Sequence, residues 1–420
     1  MIKKKEKYFR YILGSQGGRY MLLLFVLMAA AQTALLAQDK NITGRNIEFI
    51  QYPDFPDAHS TWGSIGYNPV HNTVYIGVTN HKDNIALYEY DVSKNEMHKQ
   101  GFIKDLALLR PFQWQGKIHS KIIAGPDGSV YFSTDGGESR EEYLMNHPHG
   151  YSGGFFMKWD PKSKRLSNLG AGLPYESIKD IDIDPHTGVL YGITYPQAHL
   201  LVYDTKKNDL KDMGRLASSH VPRILFTDQW GNCYYVDWRQ RLVKYEKKTG
   251  QLVFAEQSLP AFEDTPGSRI ITGIKTYAKD HKRGTIYLIT YGGKVVSFKP
   301  QEEGIGNVKD LGGVYEMGGE NKWGPVSNLN FGNNGKLYYF IGGHGNYIKE
   351  GITVLVELDP KSGKRKVLFE YPVHVLSEVT GSDIKDREGN LYFAGRKSIA
   401  GHDASAPFMI KFNPEKEIKK

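Results

Sequence analysis

The chain has 420 residues, of which 40% are hydrophobic, 24% charged and 12% aromatic. That is the profile of a globular protein and excludes a disordered or fibrous one. The formal net charge is +8, which invites an anionic partner, and a single cysteine excludes an intramolecular disulfide framework or a cysteine-rich zinc module.

Residues 1–20 carry Lys3, Lys4, Lys5, Lys7, Arg10 and Arg19 against one acid, Glu6. An apolar run, MLLLFVLMAAAQTALLA, follows over 21–37. A basic region before a short apolar one ending in small residues reads as a secretory signal. An uncleaved anchor helix is the alternative, but 17 residues interrupted by Gln32 and Thr33 are marginal for ~30 Å of hydrocarbon. The expected division is a signal peptide at 1–38 and one domain at 39–420, exported to the periplasm or the exterior. Without residues 1–38 the net charge falls to +3. A general nucleic-acid footprint is then unsupported, and the membrane enters only through the signal segment.

Beyond the signal, residues 44–58 supply a candidate closing strand. A turn followed by Tyr then recurs down the chain. It reads HNTVY at Tyr75, DGSVY at Tyr131, TGVLY at Tyr191, GNCY at Tyr234, RGTIY at Tyr287, NGKLY at Tyr338 and EGNLY at Tyr392. The spacing averages about 53 residues, the length of a propeller blade. After each comes a strand ending in an apolar residue and usually Asp or Asn. The endings are Tyr90-Asp91, Trp159-Asp160, Tyr203-Asp204, Tyr245-Glu246, Leu358-Asp359 and Phe412-Asn413, with Phe298-Lys299 the weakest. Four short strands per repeat predict an all-β, seven-bladed propeller of antiparallel four-stranded blades. Two tandem β-sandwiches would not make both patterns recur together.

In such a blade the second-to-third-strand loops share one face with the starts of the inner strands, and long loops on a rigid scaffold carry function. The sequence puts His81, His147, His149, His199, His344 and His402 in or beside those loops, and His119 and His220 at the starts of inner strands. Lys117 lies two residues before His119 in QWQGKIHSKI, Tyr195 ends a strand in YGITYP, and Arg223 opens one in HVPRILFTD. His119, Tyr195 and Arg223 are expected on one rim. Each also has a structural alternative: a hydrogen-bonding His, a packing Tyr, an Arg paired with Asp228 or Asp237.

No GxSxG elbow, P-loop, GxGxxG or EF-hand loop occurs. Glu138, Glu141, Glu142 and Asp403 are loop carboxylates with nothing to pair them for glycoside hydrolysis. His147 and His149 form a weak HxH metal motif. Together His, Tyr and Arg suit β-elimination from a uronic acid. Arg neutralises the carboxylate so that the C5 proton becomes acidic, a base removes that proton, and an acid protonates the departing O4.

The strings QGKIHSK, HPHGYSGGFF, LYGITYP with LLVYD, and PRILFTDQWGN resemble the seven-bladed propeller polysaccharide lyases of the ulvan lyase type. The resemblance covers most of the exported chain and is strongest over 113–236. It implies His119 and His149 as active-site histidines, Tyr195 as catalytic base and acid, and Arg223 as carboxylate neutraliser. Arg215 and His147 are the neighbours that compete with Arg223 and His149 for those places. Lys117, His147, His199, His344 and His402 are expected to bind substrate, an acidic polysaccharide. No cofactor is obligatory. Some such propellers hold a structural metal with His and Cys, and Cys233 is the single cysteine here. The competing function is a non-catalytic propeller that binds a glycan or a protein.

Overall fold

A computed structural model describes residues 46–416 except 82–83, 137–150, 216–223, 261–272, 292, 315–325, 343–351 and 399–404. Among the described residues the secondary structure is strand, apart from a short helix at Ile103–Leu106 and a 3-10 turn at Pro111–Gln113. None of these helices is long and apolar enough to cross a membrane.

The repeated turn explains the repeated sheet. In PDGSVY, Gly128 takes φ +79°, a left-handed conformation that glycine adopts without steric cost. The first repeat uses Asn72 at φ +53° in the same place, the residue after glycine best suited to it. The Tyr that follows is buried in all seven instances. Its hydroxyl often returns to an acid in the preceding turn: Tyr131 to Asp127 at 3.0 Å, Tyr234 to Asp228 at 3.0 Å and Tyr392 to Asp386 at 2.8 Å. The Asp of the second pattern works differently. Asp91, Asp160, Asp204 and Asp359 each accept the backbone N–H two residues on, at 2.9–3.1 Å. This Asx geometry turns the third strand into the fourth.

The strands form antiparallel meanders in chain order. The first runs through Ile65–Asn68, Thr73–Thr79, Ile85–Asp91 and Glu96–Phe102, and the third through Ser177–Ile183, Leu190–Tyr195, His199–Asp204 and Asp209–Arg215. The fourth and fifth, at 226–258 and 274–313, are built alike. In the second, the inner strand is broken into Lys117–Ile118 and Ile123–Ala124, both paired to Val130–Asp135. The remaining strands form one eight-stranded sheet, joined by a parallel pairing of Ser327–Phe331 with Glu378–Ser382. One outer edge of that sheet is Ile47–Gln51, antiparallel to Ser405–Phe412. Residues 44–58 thus do contribute a closing strand.

Apolar clusters lie between successive sheets. Tyr75 and Leu87 meet Phe132 and Trp159, Phe156 meets Ile178 and Leu201, and Tyr191 meets Tyr235 and Val243. The series returns on itself, because Val74 and Tyr88 of the first sheet pack with Ile384, Tyr392 and Met409.

Ile47 is 1% exposed among Tyr338, Phe340, Leu391 and Phe412. Ile47→Ala is expected to cost about 2–5 kcal/mol in urea unfolding. A loss below about 0.5 kcal/mol would show that this strand does not secure the last sheet.

Candidate functional site

His119 stands in the break of the second sheet's inner strand. Ser120 fills the break by accepting the Ser133 N–H at 2.8 Å. Lys121 then reaches across to Asp180 of the third sheet, Nζ to Oδ2 at 2.6 Å, and to the Leu225 carbonyl of the fourth at 2.8 Å. Displaced from regular pairing, the His119 ring sets Nδ1 3.1 Å from the Lys179 carbonyl. A carbonyl only accepts, so Nδ1 carries the proton. In the neutral ring Nε2 is then the acceptor.

Lys179 is the meeting point. Its Nζ is 2.6 Å from Asp135 Oδ2 and 4.7 Å from the centre of the Tyr195 ring. Tyr195 ends the second strand of the third sheet, in register with Ser177. Ser177 in turn donates to Asp135 Oδ1 at 3.2 Å and receives the Gly136 N–H at 3.1 Å. His119 and Tyr195 therefore sit on the backbone and the side chain of one residue. Lys117 closes the group: it is the register partner of Asp135, and its Nζ lies 4.9 Å from the Trp62 ring.

Electrostatics distinguish the two buried aspartates that meet these lysines, Asp135 and Asp180. Burial alone would push the Asp135 carboxyl up, but Lys179, Lys117 and His119 outweigh it and hold the carboxyl well below the usual range. One layer down, burial prevails over Lys121 and raises Asp180. Asp135 is thus a fixed anion between two lysines. Arg396 lies 5.1 Å from the Trp62 ring, which Lys117 also faces, and pairs with Glu378. Trp62 donates to His81, and the Ser60 hydroxyl lies 3.1 Å from His81 Nε2 and 3.2 Å from His59 Nδ1. Burial, then Lys117, His59 and Arg396, lower His81 to about 3.

Of the sequence-predicted residues, the structure brings His119, Tyr195 and Lys117 together. It does not bring His199: that ring reaches Asp212 on the outer strand at 2.9 Å. His147, His149, Arg223, His344 and His402 lie outside the described residues, as do Glu138, Glu141, Glu142 and Asp403. Lys179, Asp135, Trp62 and Arg396 were not singled out from the sequence. The available signal was the string SIKDIDID, whose charges fall on an inner strand that is buried throughout. Among the described residues no three His, Cys, Asp or Glu side chains gather as metal ligands. Cys233 is buried, and burial pushes its thiol well up.

No protein-family profile and no curated protein matches the chain. Solved structures do. A catalytically inactive virginiamycin B lyase from Staphylococcus aureus, solved with quinupristin, aligns at TM-score 0.56 and 10% identity over 86% of this chain and 98% of its own. The RRP9 WD40 repeats align at 0.53 and 9%, over 87% and 97%. U3-55K aligns at 0.54 and 10%, over 87% and 98%. At such identity the likeness is one of fold, and the chain is a β-propeller.

Two outcomes test the site's electrostatics. Lys179→Met strands a buried carboxylate and should cost about 3–5 kcal/mol in urea unfolding; an unchanged midpoint would mean that the pair is not closed. His81 is neutral when folded and protonates at ~6.5 when unfolded, so the stability it lends is complete above that pH. It is lost as the pH falls from there toward about 3. His81→Gln should flatten the stability profile over that window, and an unaltered acid slope would remove His81 as its source.

Proposed function

We infer that the chain is an exported lyase that cleaves a uronic-acid-containing polysaccharide by β-elimination, built as a seven-bladed propeller at 39–420 behind a signal peptide at 1–38. The observation carrying this reading is the placement of His119 and Tyr195 on the two ends of Lys179, beside the Asp135 anion. The blade count is supported by the eight-stranded sheet, which divides at its parallel pairing into two groups of four. Export is supported by the basic and apolar segments of residues 1–37.

In the proposed reaction Arg223 neutralises the substrate carboxylate, and a base takes the C5 proton. The electron pair left behind forms the C4–C5 double bond, and the C4–O4 bond breaks as O4 receives a proton. Tyr195 and His119 supply base and acid, with His149 as the second active-site histidine. Lys117, His147, His344 and His402 bind the anionic chain. His199 is given no part in the chemistry, because its ring engages Asp212. The propeller fold is shared by a lyase and by WD40 repeat proteins, so fold does not choose between catalysis and binding.

Incubation with a panel of polyuronates, read by ultraviolet absorbance of the unsaturated product, makes the choice. Product is expected from at least one, and Tyr195→Phe should lower the rate by about 10²–10⁴-fold while the protein stays folded. Absence of product from every polyuronate would favour a non-catalytic, glycan- or protein-binding propeller. A fully active Tyr195→Phe would take that residue out of the mechanism.

A further inference from the structure

One turn of the fourth sheet is built with unusual firmness and presents two side chains that the core does not use. Between Cys233–Val236 and Arg241–Glu246 the chain reverses over residues 237–240. Asp237 is 1% exposed. Its Oδ1 accepts the N–H groups of Arg239 and Arg241, both at 2.9 Å. Its Oδ2 accepts Arg241 Nε at 2.9 Å and Nη2 at 2.7 Å. Gln240 takes φ +60°, and its backbone bonds to Asp237 and Leu259 pin the turn from both sides. A buried carboxylate with four donors thus fixes the loop.

At its tip stands Trp238, 58% exposed. The Arg239 guanidinium lies 4.8 Å from the Trp238 ring. Arg241 is held by two bonds to Asp237 Oδ2, whereas among the described residues no carboxylate pairs with the Arg239 guanidinium. An exposed Trp keeps a large apolar face in water. The backbone that carries it is fixed by the Asp237 bonds and has little freedom left to lose on binding, which is what a recognition platform requires.

The turn also lies where a polymer leaving the candidate site would run. Leu225 N donates to Asp180 and Thr227 N to Asp182, both at 2.8 Å. The inner strands of the third and fourth sheets therefore rise in step. Each second strand runs antiparallel to its inner strand, so Tyr195 and Trp238 leave their strands at the same end of neighbouring sheets.

We propose that Trp238 and Arg239 form an outer subsite for an acidic polysaccharide, stacking one sugar ring on the indole while the guanidinium takes that sugar's carboxylate. The proposal rests on the acidic-glycan reading above and adds to it that the substrate is a chain engaged beyond the cleaved linkage. The guanidinium fork fits a carboxylate through two parallel hydrogen bonds. The flat face of a pyranose, lined with C–H groups, covers the indole.

The test measures binding by calorimetry, with product formation recorded separately. Oligomers of two and of eight units are prepared from polyglucuronate, polygalacturonate and alginate, and titrated into the full chain, Trp238→Ala and Arg239→Gln. The full chain should bind the eight-unit oligomer of at least one polymer more tightly than the two-unit one. Either substitution should reduce that gain by about tenfold. Both residues are exposed, so the variants should unfold where the full chain does. A gain retained in both variants overturns the subsite, as does a full chain that gains nothing from the longer oligomer. These outcomes do not depend on the ultraviolet signal. Length-dependent binding through Trp238 without product would sink the lyase reading and leave the subsite standing. Product formation with unchanged binding in the variants would do the reverse.

Discussion

A four-stranded meander has two apolar faces and cannot cover either by itself. Each sheet here is buried only because another stands on each side of it, and the first and last sheets cover one another through Val74, Tyr88, Tyr392 and Met409. Everything at the rim inherits its position from that arrangement. His119 and Lys179 belong to different sheets, and they meet because Phe156 and Ile178 pack behind them. The site is a property of the junction between two sheets and exists in neither alone.

The inner strands face a second constraint. They carry charge where strands of this kind are usually apolar, and buried charge is tolerated only when paired. The third sheet meets it with Lys121 on Asp180 and Lys279 near Asp182, pairs that bridge to the second and fifth sheets. At the rim the same device serves a different end. Asp135 keeps its charge between Lys179 and Lys117, and the lysines are thereby oriented toward Tyr195 and Trp62.

How much of this was legible follows from how local each signal is. The turn-Tyr repeat lies within a few residues, each copy reports a left-handed turn and a buried ring, and so the sheet order could be read directly. The Asp that follows the third strand was equally local, being an Asx turn. Where it is missing, at Phe298-Lys299-Pro300, the strand Lys294–Pro300 forms all the same, because its neighbours supply the register. The Lys179–Asp135 pair joins residues on separate sheets, and no short pattern marks it. His199 shows the opposite difficulty: its chain position suggested the functional rim, but its ring pairs across to Asp212 on the outer strand of its own sheet.

The pairing of Ile47–Gln51 with Ser405–Phe412 has a consequence for how the molecule comes into being. It joins the first described strand to the last one, with nearly the whole chain between. Contacts of such high order form late, after the loop-closure entropy of everything between has been met. Until Ser405–Phe412 emerges from synthesis, Ile47–Gln51 lacks its pairing partner and the growing assembly presents bare strand edges, a known route to intermolecular pairing. The Ser405–Phe412 strand is therefore a kinetic checkpoint. A chain truncated before Phe408 would be left as an open, adhesive arc, however well its earlier sheets had formed.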